Sequence, residues 1–60
     1  MQERSIKKIR EALFMTQEEF ANLIGVSRQT ISFWEEGVRG ISLRNSKKIA
    51  EICHKNNIII

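Results

Sequence analysis

Gln29, Ser32, Phe33 and Glu36 follow one another at i, i+3, i+4 and i+7 in the segment RQTISFWEE. On a helix that spacing lines them up on one face. Arg28 stands beside them at the start of the segment. Together they offer a guanidinium fork, an amide, a hydroxyl, an aromatic ring and a carboxylate. This is a set for recognition. The major groove of duplex DNA pairs Arg with guanine and Gln with adenine, and shows apolar side chains the methyl group of thymine. On a helix that lay in that groove, Arg28 and Gln29 would be the base readers, with Ser32 bonding a base or a phosphate. Phe33 has no hydrogen-bonding tip, so its expected target is a thymine methyl. Two alternatives stay open: Phe33 in the core with the helix phase shifted, and Arg28 on a phosphate instead of a base.

Other chemistry finds little to work with. Cys53 and His54 are adjacent, so on a helix they point in different directions, and a metal needs three or four converging ligands. The expectation is no metal site. There is no Ser-His-Asp set, no glycine-rich phosphate loop and no paired-carboxylate cleft. No catalytic residue, cofactor or small-molecule ligand is expected, and the chain reads as no enzyme.

The recognition stripe must be held from behind. With Ile31 at zero, helical phasing puts Trp34 about 60° away and Phe33 about 160° away. Ile31 and Trp34 thus face a core while Phe33 faces out. Ser27 is a suitable N-cap for this helix and Gly37 closes it, giving a helix over about 28–36. A shorter helix over about 17–24 precedes it. Thr16 and Glu19 have the spacing of a capping box. Phe20, Leu23 and Ile24 recur at helical spacing. Gly25 ends the helix. Two capped helices across so short a turn form a helix-turn-helix pattern.

Flanking helices complete the reading. The first runs from about Gln2 or Glu3 to Phe14, with Ile6, Ile9 and Leu13 on one apolar face and Phe14 closing its end. Glu3–Lys7 is an attractive i, i+4 pair. The fourth runs from about Leu43 to Lys55 behind the cap Ser42, with Leu43, Ser46, Ala50 and Cys53 sharing a face and Ile49 beside it. The expected fold is a compact all-α bundle of four to five helices, one domain over residues 1–60. Ile41 tucks under the loop after the third helix.

The stretch TQEEFANLIGVSRQTISFWEEG resembles the helix-turn-helix of the phage Cro and repressor family. The shared residues are Thr16, Gln17, Glu18 and Glu19, then Gly25, Val26, Ser27, Arg28, Ile31 and Glu35. Ile9, Arg10, Ser42, Leu43, Ile49 and Ala50 extend the similarity to about residues 6 to 53. The resemblance implies a lambda-repressor-like fold and a sequence-specific DNA-binding regulator. It implies that Gln17 holds the DNA backbone, as free N–H groups at a helix start also favour. Ser27, Thr30, Arg39 and Arg44 are further phosphate candidates, Thr30 with a buried, back-bonded alternative. It implies an ion pair between Arg10 and Glu35 beneath the paired helices. Ser46 departs from the family's large aliphatic residue, so either a neighbour such as Trp34 fills the space or the helix turns. Glu36 also departs, because the family often has a neutral or basic residue there, and a carboxylate beside phosphates must turn away or be paired.

Sixty residues with 42% hydrophobic content allow one small core. The net charge of +3 suits a polyanion, although mild basicity is common. Residues 1–20 carry four bases and four acids, residues 21–60 six bases and three acids. A single cysteine makes no intrachain disulfide. The charged start MQERSIKKIR lacks a signal-peptide pattern. No run approaches the ~18 apolar residues of a membrane span. The cytoplasm of a bacterial or phage-infected cell is the expected location.

Ile58, Ile59 and Ile60 either pack back onto the core or join a dimer surface with Ile52. The expected partner is palindromic double-stranded DNA, bound by a homodimer, and a small Cro-like repressor of a phage or mobile element fits. The rivals are a restriction-modification controller or antitoxin, and a protein-interaction module that has lost DNA binding.

Overall fold

A computed structural model describes residues 3–58, with side chains from Ile6 onward. Within them the chain forms four helices and no strand: α1 (Glu3–Ala12), α2 (Gln17–Ile24), α3 (Arg28–Glu36) and α4 (Leu43–Lys55). Among these residues no helix is long and apolar enough to cross a membrane. Gln2, Ile59, Ile60 and the Glu3–Lys7 pairing lie outside what is described.

Each of the last three helices starts at a hydroxyl cap. The Thr16 hydroxyl accepts from the Glu19 N–H at 3.1 Å, and the Glu19 carboxylate accepts from the Thr16 N–H at 2.8 Å. Ser27 and Ser42 accept from the N–H groups of Thr30 and Asn45. Such caps each contribute about 1 kcal/mol by satisfying N–H groups the helix leaves open.

All four helices are followed by a residue with positive φ: Phe14, Gly25, Gly37 and Asn57. After α1 and α3 the closing bonds are a Schellman pair. Met15 and Phe14 donate to the Arg10 and Glu11 carbonyls, and Val38 and Gly37 to those of Phe33 and Trp34. Glycine adopts this conformation without strain, and Asn tolerates it. Phe14 does neither, and it is 95% exposed. The expected α1 therefore stops short: Phe14 terminates the helix in solvent and adds nothing to the core.

Ile6, Ile9, Phe20, Ala21, Ile24, Ile31, Trp34, Ile49 and Cys53 form the buried cluster. Leu13, Met15, Val26, Ile41, Ile52 and Ile58 pack around it. Of the three apolar residues at helical spacing in α2, Phe20 and Ile24 are buried and Leu23 is exposed. Ala21 is buried too, because α2 packs against α3 and a methyl group lets the helices close in.

Helix α4 differs more. Its inward face carries Ile49 and Cys53, with Ile52, Asn45 and Ser46 half-buried around them, while Ala50 and Leu43 are exposed. Relative to the expected Leu43–Ser46–Ala50–Cys53 face, the helix is turned by roughly 80°. The turned helix buries Ile49 in place of Ala50 and leaves Ile52 half-buried, and apolar area drives burial. Ser46 is left half-buried at the edge of the turned face. The same rotation brings Ile52 against the chain's own core. Ile58 follows it there, its N–H bonded to the Cys53 carbonyl at 2.9 Å.

Candidate nucleic-acid interface

Helix α3 has two working sides, and the inner one is built around Glu35. Arg10 on α1 donates through Nε to Glu35 Oε2 at 2.7 Å and through Nη2 to Oε1 at 3.1 Å. These are parallel, charge-assisted bonds, the strongest geometry an Arg–carboxylate pair adopts. A third guanidinium nitrogen donates to the Met15 carbonyl at 3.0 Å. Gln17, the first residue of α2, donates its amide N–H to Glu35 Oε1 at 3.3 Å. The Arg10–Glu35 pair thus ties together α1, the α1–α2 turn, the start of α2 and the end of α3. The pair is largely buried, with side-chain exposures of 15% for Arg10 and 8% for Glu35. The hydrogen bond to Glu35 pushes the Arg10 guanidinium above its ordinary pKa, against the opposing effect of burial. The guanidinium stays charged at any pH the fold survives.

The turn between α2 and α3 is held separately. Gly25, at φ +92°, and Val26 both donate to the Ala21 carbonyl. Lys48 on α4 reaches across to donate to the Ile24 carbonyl at 3.1 Å. A cation at a helix C-terminus complements its open carbonyls and dipole. No spacing in the chain announces this contact, because it spans 24 residues of sequence.

The outer side carries the recognition stripe. Ser27, Arg28 and Gln29 are exposed at the start of α3. Ser32 and Phe33 are half-buried one turn further on, and Glu36 is exposed. Ile31 and Trp34 lie on the opposite side, in the core. Phe33 is not part of the buried cluster. The Ser32 hydroxyl donates to Glu36 Oε1 at 3.4 Å, a long and weak bond that draws the carboxylate along the helix. Thr30 is half-buried, and its hydroxyl lies 2.9 Å from that of Ser27, within the cap itself. Arg39 and Arg44 are exposed beyond the helix. The Arg39 guanidinium lies over the Phe33 ring, 5.1 Å from its centroid.

The structure therefore brings Gln29, Ser32 and Phe33 to one side of α3, with Arg28 exposed at its start and Arg39 over the Phe33 ring. Gln17 stands apart, half committed to Glu35. One of its amide N–H groups is spent there, and Gln17 is half-buried at the first position of α2. Three contacts lie beyond the sequence reading: Gln17–Glu35, Lys48–Ile24 and Arg39–Phe33. The last leaves a trace, since Gly37 turns the chain before Arg39.

A helix-turn-helix family model matches residues 6–56. The chain belongs to the helix-turn-helix family. Two uncharacterized HTH-type transcriptional regulators of Archaeoglobus fulgidus are each 47% identical to it over 47 residues, 78% of this chain. The alignments cover 66% and 67% of those proteins. The antitoxin PezA of Streptococcus pneumoniae is 36% identical over 55 residues, 92% of this chain and 33% of the antitoxin. The chain thus spans about two thirds of the archaeal relatives and a third of PezA. No solved structure gives a significant match. In helix-turn-helix terms α2 and α3 are the paired helices.

Proposed function

We propose that the chain is a sequence-specific double-stranded-DNA-binding transcriptional regulator that inserts α3 into the major groove. The observation that carries this reading is the division of α3. Its Ile31–Trp34 side is locked in the core while Arg28, Gln29, Ser32 and Phe33 stand outward, donors and acceptors at the groove-entering end. Arg28 and Gln29 read base edges. Gln17, Ser27, Arg39 and Arg44 hold phosphates, with Thr30 supporting Ser27. The archaeal relatives' name as HTH-type transcriptional regulators points the same way.

A single module of this kind buries only about 600–1,000 Å² on DNA. The working species in this reading is a homodimer on a palindromic operator, its two half-sites about one helical turn apart. The accessible parts of Ile52 and Ile58 supply part of the dimer surface. A small Cro-like repressor, acting in the cytoplasm by occupying its operator, is the form proposed.

The test is a gel shift followed by selection of duplexes from a random pool. Binding to random duplex is expected at about 50 mM salt and falls steeply as salt rises, because phosphate contacts release counterions. Silence at that salt would end the DNA reading in favour of a protein-interaction module. Selected duplexes should be palindromic. A second reading, the DNA-binding part of an antitoxin, draws on the PezA alignment. Co-purification with a toxin encoded beside it decides between the two.

A further inference from the structure

We infer that Arg39 reads guanine, and that Phe33 is the residue that holds it in place to do so. The inference rests on the DNA-binding reading above and changes two roles within it. Arg39 moves from phosphate holder to base reader, and Phe33 from thymine contact to positioning residue.

Three observations lead there. Gly37 sits at φ +76°, and Val38 donates to the Phe33 carbonyl at 2.9 Å. The chain leaving α3 is thereby reversed towards the outer side of the helix it has just completed. Arg39 then arrives over the Phe33 ring, 5.1 Å from the centroid. Among the described residues the one ion pair is Arg10–Glu35, so no carboxylate holds Arg39.

The chemistry of the group does the rest. A guanidinium carries its five N–H donors at its edge, in its own plane. Arg39 is exposed, so seated over the Phe33 ring it still has donors to offer a partner. An arginine on a free stem serves as a mobile charge beside phosphates. An arginine seated on an aromatic ring has fewer orientations to give up on binding, and its fork suits the O6 and N7 of guanine. Ser32 and Gln29 lie on the same stripe as Phe33. The base read by Arg39 is therefore a neighbour of theirs, inside the groove.

Selection from a random duplex pool tests this with the parent chain and the variants Arg39→Ala, Arg39→Lys, Phe33→Leu and the Phe33→Leu/Arg39→Ala double. The parent should show a guanine at one position of each half-site. Arg39→Ala and Phe33→Leu should each lower that preference by roughly 5- to 150-fold, the discrimination of one bidentate contact. The double variant should lose no more than either single. Arg39→Lys keeps the charge but not the planar fork, and should lose the same preference.

Leucine keeps an apolar surface at position 33, so a guanine preference that survives Phe33→Leu overturns the positioning role. If Arg39→Ala weakens every duplex alike and lowers the salt slope by about one, Arg39 is a phosphate contact and the inference fails. If the parent binds no duplex at low salt, the DNA-binding reading fails and this one with it. Thermal melting shows that each variant is folded, since both side chains lie outside the buried cluster.

Discussion

The two sides of α3 are one residue apart in sequence and different in construction. On the inner side, Trp34 is buried and Glu35 receives three hydrogen bonds from two other elements. On the outer side, Phe33 and Glu36 are held by a stacked arginine and a 3.4 Å hydroxyl contact. Low dielectric and good geometry make the inner contacts strong, and solvent makes the outer ones weak. The inner side therefore sets where the helix lies. The outer side is presented on that rigid support, with the Arg39–Phe33 contact as its one aromatic anchor among the described residues.

The comparison breaks or stands on adjacent aromatics. Trp34→Ala should destabilise the fold by about 3–5 kcal/mol, the usual cost of emptying a large buried site. Phe33→Ala should cost less than about 1 kcal/mol, because only a half-exposed stack is lost. Urea midpoints for the two variants decide it, and equal losses would mean that α3 has no outer side.

Arg10→Met comes next. It leaves the Glu35 carboxylate buried with only the Gln17 amide, at a cost of about 3 kcal/mol. A domain this small has about 3–9 kcal/mol in all, so the variant should be partly unfolded at ordinary temperature. A urea midpoint unchanged from the parent would show the pair to be a surface contact of little worth.

On the outer side, Gln29→Ala should leave stability within about 0.5 kcal/mol, as surface changes do. It should cost ~1–3 kcal/mol of discrimination at one or two base positions. Gln17→Ala should weaken all duplexes alike, and it should also lower the melting temperature, because its amide is bonded to Glu35. A Gln17 variant with full thermal stability would detach that residue from the inner side.

The smallest effect is expected at Phe14, where neither side is involved. Phe14→Gly removes a bulky residue from a left-handed conformation, and the side chain is almost wholly exposed, so no burial is lost. A gain of about 0.5–1 kcal/mol should result, net of the added freedom of the unfolded chain. The melting temperature should rise by a few degrees.

Much of the fold was legible because it was written locally. The caps Thr16, Ser27 and Ser42 and the stops Gly25 and Gly37 marked three helices to the residue, since capping depends on neighbours in the chain. The phase of α3 followed from Ile31 alone. The phase of α4 did not, because Leu43, Ala50 and Ile49 are all apolar and only the space left by the other helices chooses among them. Phe14 misled for the opposite reason. Its size suggested core, while the backbone needed a stop there. In the candidate site, the stripe itself was readable from spacing. The Arg39–Phe33 stack and the Lys48–Ile24 contact were not, because tertiary proximity creates them.

Trp34 is the chain's one tryptophan, and it lies on the side of α3 turned away from the recognition stripe. The molecule therefore carries its own optical gauge. Indole emission should shift when the core opens to water, and stay nearly constant when a duplex settles on the other side of the same helix. Folding and occupancy would then be read in one cuvette, the first from intrinsic fluorescence and the second from a dye on the DNA.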